Sequence, residues 1–224
     1  MLDDYQKLVT ALVRDQDDLL SEDDINLAIG FAITRYSSDR PKTELSEQEV
    51  NNNITDLPDN WIANFSRVAG VEYPAGLVPP SFIPIARTSI YEGLSGQKIM
   101  LSGINDGSIV RLHYTSLHKV TETIDTITIS DREAVANWAA ALLLDQLANS
   151  FAGDTYSTIQ ADTIDHANKS RDYGSRAKYC RSNYFNHLGI DNKRNAAAGT
   201  VVTIQSTDSV GCDRLLHYQN RRRP

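Results

Sequence analysis

Apolar side chains recur along this chain with two different periods, and the change of period divides it. Tyr5, Leu8, Val9 and Leu12 fall at i, i+3, i+4 and i+7, so the first dozen residues predict a short helix with one apolar stripe. An acidic break from Asp15 to Asp18 separates it from a second helix. Ser21 can cap that helix with its hydroxyl, and Asp24 three residues on completes a weak capping box. Ile25, Ile29, Ala32, Ile33 and Tyr36 share one side of it, while Leu27 and Phe31 add a second apolar face. It should end before Pro41, because a residue preceding proline avoids the helical region. Two apolar faces imply contacts on two sides.

From Pro41 to Pro84 the periodicity loosens, broken by Asn51-Asn52-Asn53, Pro58, Pro74-Ala75-Gly76 and Pro79-Pro80, which predicts a long connector. The period then becomes two: Val110, Leu112 and Tyr114 alternate with Arg111 and His113, a strand with one buried face. Gln97 to Leu101 is a second apolar run, and Asn105-Asp106-Gly107-Ser108 between the two tolerates positive φ, so the pair reads as a hairpin with a long loop. Arg87 to Tyr91 and the β-branched stretch Val120 to Ile129 are expected to extend the sheet.

Ser130-Asp131, followed by Glu133, marks the start of the clearest helix. Val135, Trp138, Ala139, Leu142, Leu143 and Leu147 form its main stripe, alanines and Leu144 fill much of the remaining circumference, and Gly153 supplies a stop. A helix apolar on most sides is central. After a loop with Asp162 and Asp165, Tyr173, Ala177, Cys180, Tyr184 and Leu188 make one narrow stripe on a last helix ending at Gly189. Lys169 and Arg176 flank this stripe on one side, and Arg171, Lys178 and Arg181 on the other. Beyond it, Thr200 to Ile204 suggests a short strand within an otherwise extended arm that ends in Arg221-Arg222-Arg223-Pro224.

The fold class this predicts is α+β, a helical bundle with an inserted antiparallel β-sheet region and an extended C-terminal arm. Residues 1–40 hold the N-terminal helices, 41–129 the connector and inserted β region, 130–189 the C-terminal helices and 190–224 the arm.

With 224 residues the chain can bury a core without cross-links, and Cys180 and Cys212, far apart and without CxxC spacing, are expected to be free thiols in a reducing cell. Nothing at the N-terminus reads as a secretory signal. The longest strongly apolar stretch, Ala134 to Leu144, contains Asn137 and falls well short of the roughly 20 residues that span a bilayer, so a soluble protein with no membrane partner is expected. The net charge of −7 argues against indiscriminate nucleic-acid binding. It conceals an asymmetry: residues 1–164 carry 11 Lys/Arg against 24 Asp/Glu, and residues 165–224 carry 11 against 5, or −13 and +6. Such separation suits head-to-tail contacts between subunits or a basic tail docked on an acidic neighbour; a solvated basic helix and tail explain it equally.

Candidate chemistry is sparse. His113 and His118 lack a third metal ligand nearby, and Asp162, Asp165 and His166, which imitate part of a hydrolase cluster, are better explained as caps and first-turn residues. Neither Ser95-Gly96 nor Ser102-Gly103 completes the G-x-S-x-G pattern of a nucleophile elbow, and no phosphate-binding glycine motif occurs. No catalytic residue, cofactor or metal is assigned. Arg221 to Arg223 with Tyr218 fit phosphate contact and base stacking, docking on an acidic protein, or a solvated terminus.

The stretch Val110-Arg-Leu-His-Tyr114, then Asp131-Arg-Glu-Ala-Val-Ala-Asn-Trp-Ala-Ala-Ala-Leu142, Ala161-Asp-Thr-Ile-Asp-His166 and Lys169-Ser-Arg-Asp-Tyr-Gly-Ser-Arg-Ala-Lys178 resembles the head–tail connector (adaptor) proteins of tailed bacteriophages, over the middle and C-terminal half. The resemblance implies a non-enzymatic virion protein, made in the host cytoplasm and placed at the head–tail junction. It would form a ring, commonly of twelve copies, beneath the portal protein and above the next neck or tail protein, with DNA passing through its channel without sequence-specific binding. The arm residues Val201, Val202, Ile204, Tyr218, Arg221, Arg222 and Arg223 would engage the portal, and Ile25, Leu27, Ile29, Phe31 and Tyr36 would meet the next subunit. The sheet would face the distal component, and acidic surface would line the channel. The stretch from Trp61 to Ala86, together with the sheet, is larger than the insertion of the simplest adaptors, so a neck stopper or tail-completion protein stays open as an alternative. From another class, the alternative is a small metal-dependent hydrolase or nuclease using Asp162, Asp165 and His166.

Overall fold

A computed structural model of the chain describes residues 1–15, 18–93, 96–153 and 160–190; of residues 153 and 160–168 it describes the backbone. Helices α1 (Leu2–Val13) and α2 (Glu22–Asp39) precede all the strands, and α3 (Arg132–Gly153) and α4 (Gln160–Leu188) follow them. The seven strands among the described residues are β1 (Lys42–Val50), β2 (Ile54–Thr55), β3 (Val68–Glu72), β4 (Phe82–Ile83), β5 (Thr88–Gly93), β6 (Gly96–Leu101) and β7 (Ser108–Ser116). The class is α+β, and Met1–Ile190 forms one compact unit.

The helices close around α3. Ala134, Ala136, Ala139, Ala140 and Ala141 are buried, and side chains this small let neighbouring helices approach its axis from several directions. Leu143, Leu144 and Leu147 fill the space between. The sequence-predicted stripe of α4, Tyr173, Ala177, Cys180, Tyr184 and Leu188, is buried in full. Helix α2 starts at the expected capping box: the Asp24 N–H donates to Ser21 Oγ at 3.1 Å and the Ser21 N–H to the Asp24 carboxylate at 3.0 Å. Helix α1 departs from its expected stripe. It buries Tyr5, Val9 and Val13 at i, i+4 and i+8 and leaves Leu8 exposed, the mark of a helix docked by a single ridge.

The strands form two antiparallel sheets, in the orders β1-β7-β3-β4 and β2-β6-β5. Val110, Leu112 and Tyr114 of β7 are buried as their alternation predicts, and β1 pairs with β7 from Lys42 opposite Ser116 to Val50 opposite Ser108. Both sheets contribute to a second apolar core of Val50, Val71, Ile99, Leu101, Ile104, Val110 and Leu112.

Four expectations are corrected here. Residues 41–84 are no connector but hold β1 to β4; β1 alone is nine residues long. The runs at 97–101 and 109–114 are strands, yet they belong to different sheets: β6 forms its hairpin with β5 and β7 takes its partners from β1 and β3. The stretch Val120–Ile129 is not a strand. Its polar side chains turn the backbone instead, with the Ile124 N–H donating to Thr121 Oγ1 and the Ile127 N–H to Asp125 Oδ1, which leaves one isolated bridge between Val120 and Asp125. Finally, α4 begins at Gln160, so Asp162 and Asp165 lie inside the helix and not before it as caps.

Because Leu143 is 1% exposed at the centre of the helical core, Leu143→Ala leaves a cavity that closely packed neighbours cannot close. Urea denaturation should show a loss of about 2–5 kcal/mol with little change in the slope of the transition.

Candidate functional site

Asp131 was expected to cap α3, but its carboxylate is used elsewhere. It ends a 3-10 turn, Ile129–Asp131, and is 4% exposed. Oδ2 accepts from the Tyr36 hydroxyl at 2.7 Å and Arg40 Nη1 at 2.8 Å, and Oδ1 lies 3.0 Å from His187 Nε2. Burial alone would raise its pKa, but the hydrogen bonds from Tyr36, His187 and Ser130 and the charge of Arg40 outweigh burial and hold the carboxyl below its ordinary 3.8. Arg40 also donates from Nη2 to the Leu188 carbonyl at 3.2 Å. One carboxylate thereby joins the end of α2, the start of α3 and the end of α4.

Asp125 does the same for α1. Its side chain is fully buried, paired with Arg132 at 2.8 Å and hydrogen-bonded by the Tyr5 hydroxyl at 3.3 Å. Burial, and then the Asp125 charge, raise the Tyr5 phenol well above its usual range. In the β region the buried Glu72 accepts from the Gly76 N–H at 2.9 Å and from Arg111 at 3.2 Å, while Arg111 reaches Glu47 at 2.7 Å with its other nitrogen. Burial pushes the Glu44 pKa up, but hydrogen bonds from Lys42, Tyr114 and Asn60 more than offset this and bring it to about 2; burial and Glu44 push Tyr114 up to about 12. These charges hold segments together, each buried carboxylate paired with a cation of this chain.

The two histidines singled out in the sequence lie apart in role. His118 uses both ring nitrogens: Nε2 lies 3.0 Å from the Arg40 carbonyl, and Nδ1 lies 3.0 Å from the Thr126 carbonyl and 3.1 Å from its hydroxyl. His113 packs edge-on against Phe82, with Nε2 3.8 Å from Glu72. No group of three or more metal-ligating side chains occurs among the described residues. No helix among them is long and apolar enough to cross a membrane. The side chains of Asp162, Asp165 and His166 lie outside the described residues, as does Cys212; Cys180 is a buried free thiol.

The expected subunit-contact residues divide between two faces of α2. Ile29 and Tyr36 are buried in the helices' own core and Ile25 packs half-buried against it, whereas Leu27 and Phe31 are 59% and 57% exposed. Of that set, only the last two remain available to another molecule. They share their outward face with Asp23, Gly30 and Thr34, and Asp18, Leu19 and Glu22 adjoin it, all exposed. The cations flanking the stripe of α4 divide similarly. Arg176 donates to the Leu12 and Val13 carbonyls at the end of α1, Arg181 pairs with Asp145, and Lys169 lies over the Phe151 ring. Arg171 and Lys178 point outward with Ser175, Ser182 and Asn186, beside a Tyr179 that is 68% exposed, and make no ion pair among the described residues. The β region carries its own exposed apolar groups, Val78, Phe82, Ile85 and Ile90 among them.

The arm residues Val201, Val202, Ile204, Tyr218, Arg221, Arg222 and Arg223 lie outside the described residues. Sequence reasoning missed the Asp131 junction because a Ser-Asp pair before an apolar run is also the signal of a cap; only the distant Tyr36, Arg40 and His187 reveal its other use. Comparison with models of known protein families finds no match to this chain, and comparison with curated proteins finds none either.

The Asp131 carboxyl titrates lower in the folded chain than unfolded, so its contribution is present above the unfolded value near 3.8 and is lost as pH falls below about 4. Unfolding followed from pH 7 to pH 3 should show stability dropping below pH 4. Asp131→Asn should cost about 3 kcal/mol at pH 7, at the low end for a broken buried pair because Arg40 is half-exposed, and should flatten that acid limb.

Proposed function

We propose that this chain is a structural virion protein, the head–tail connector (adaptor) of a tailed bacteriophage. In this reading α1 to α4 form a helical bundle that assembles into a ring of twelve copies, the number common in that family. The ring sits beneath the portal protein, held by residues 195–224, and leaves a channel through which DNA is ejected. The inserted sheets face the next neck or tail protein.

The observation that carries the reading is the outward face of α2. A helix already anchored in its own core by Ile29, Ala32 and Tyr36 keeps Leu27 and Phe31 in solvent, and large apolar side chains grouped on one exposed face favour association. The order of parts supports it further: helices at both ends of the unit enclose the strands between residues 42 and 116, so the strand region can face a different partner from the helices. The paired carboxylates Asp125, Asp131 and Glu72 are consistent with a building block, since each spends its charge on holding the fold. The exposed apolar groups of the β region also suit a neck stopper or tail-completion protein, which meets a ring above it.

The test is deletion of residues 195–224. The truncated chain should retain its helical circular dichroism and its unfolding transition and lose co-purification with the portal protein; a truncated chain that still docks on the portal removes the arm from the reading. A chain that binds an assembled adaptor ring but not the portal is a stopper.

A further inference from the structure

The outward faces of α2 and α4 match each other in spacing and oppose each other in charge. On α2, Asp23, Leu27, Gly30, Phe31, Thr34 and Ser38 lie on one exposed face, with Asp18, Leu19 and Glu22 at its N-terminal end. On α4, Arg171, Ser175, Lys178, Tyr179, Ser182 and Asn186 follow the same intervals and are exposed too. From Asp23 to Thr34 and from Arg171 to Ser182 each face runs about 16 Å at 1.5 Å per residue. One offers Asp23, with Asp18 and Glu22 at its end, beside Leu27 and Phe31; the other offers Arg171 and Lys178 beside Tyr179, with the exposed Asp172 at its margin. Neither Asp18 nor Asp23, and neither Arg171 nor Lys178, makes an ion pair among the described residues. Each face lies on the side of its helix opposite the residues buried in the helical core, so both stay open to another copy.

We propose that the acidic and apolar face of α2 in one copy docks on the basic face of α4 in the next. The inference rests on the ring reading and names the surfaces that build it. Such a contact joins two different patches, and repetition of a contact between unlike patches closes into a ring where the rotation permits; a contact between like patches stops at a dimer. Tyr179 supplies an amphipathic ring against Leu27 and Phe31, and the charges around them fix which flank meets which.

The test is charge reversal on the full chain, read by native mass spectrometry and sedimentation, with the portal protein absent and present. Asp18→Lys with Asp23→Lys, and separately Arg171→Glu with Lys178→Glu, should each weaken assembly about tenfold or more, since like charges then face each other. The chain carrying all four substitutions should regain the wild-type oligomer, which also rules out misfolding as the cause. If wild-type rings form and both reversed pairs assemble normally, the ring stands and this contact is wrong. If both pairs dissociate but the fourfold variant does not recover, the two faces do not meet each other. A wild-type chain that stays monomeric even with the portal overturns the ring and this contact with it.

Discussion

The arrangement of helices depends on a carboxylate that has been taken out of water. Asp131 is buried where α2 ends, α3 begins and α4 ends, and Tyr36, Arg40 and His187 reach it from the neighbouring helix ends. An ion pair of this kind contributes little net stability compared with an apolar contact of equal size, because desolvating the charges offsets most of their attraction. Its value is positional. A helix that slid along α3 by one turn would still bury leucine and alanine, but it would strand a charge, and that penalty selects a single register.

The same junction connects the helices to the strands. Arg40 precedes Pro41 and β1, and while its guanidinium holds Asp131 and the Leu188 carbonyl, its own carbonyl faces His118 just after β7. The His118 N–H donates to Ser37 Oγ, and the ring packs 5.0 Å from that of Tyr36. The chain therefore leaves the helices and returns to them at one place. Between His118 and α3 it is held at Asp125 as well, by Arg132 and Tyr5. Two buried carboxylates six residues apart leave the intervening backbone little freedom to join a sheet, which is why a β-branched stretch that favours the extended state is bent into turns.

Helical periodicity was the most legible part of the sequence. The α4 stripe and the core side of α2 are buried as their spacing predicts, because an i, i+4 pattern is a local property that tertiary contacts only have to accept. β1 was invisible for the opposite reason. Lys42-Thr-Glu-Leu-Ser-Glu-Gln-Glu-Val50 has no apolar face to detect, and what makes it a strand is its partner: Glu47 meets Arg111 and Glu44 meets the Tyr114 hydroxyl across the ladder. The false hairpin has the same origin, since the turn residues at 105–108 are real turn formers but the pairing of β7 with β1 spans more than fifty residues. Of the candidate site, the two-sided character of α2 was legible, whereas which side is spent on the core was not.

The charge asymmetry also changes meaning in three dimensions. Of the 11 basic residues after position 164, five lie on α4 and six beyond Ile190. On α4 the inward-leaning Arg176 caps the carbonyl end of α1 and Arg181 pairs with Asp145, so part of the apparent positive excess is structural and already neutralised by acceptors of this chain. What remains outward on that face is Arg171 and Lys178, with the exposed Asp172 beside them. A bulk count of +6 would suggest one diffuse basic region; on α4 the fold reduces it to a small, directional patch.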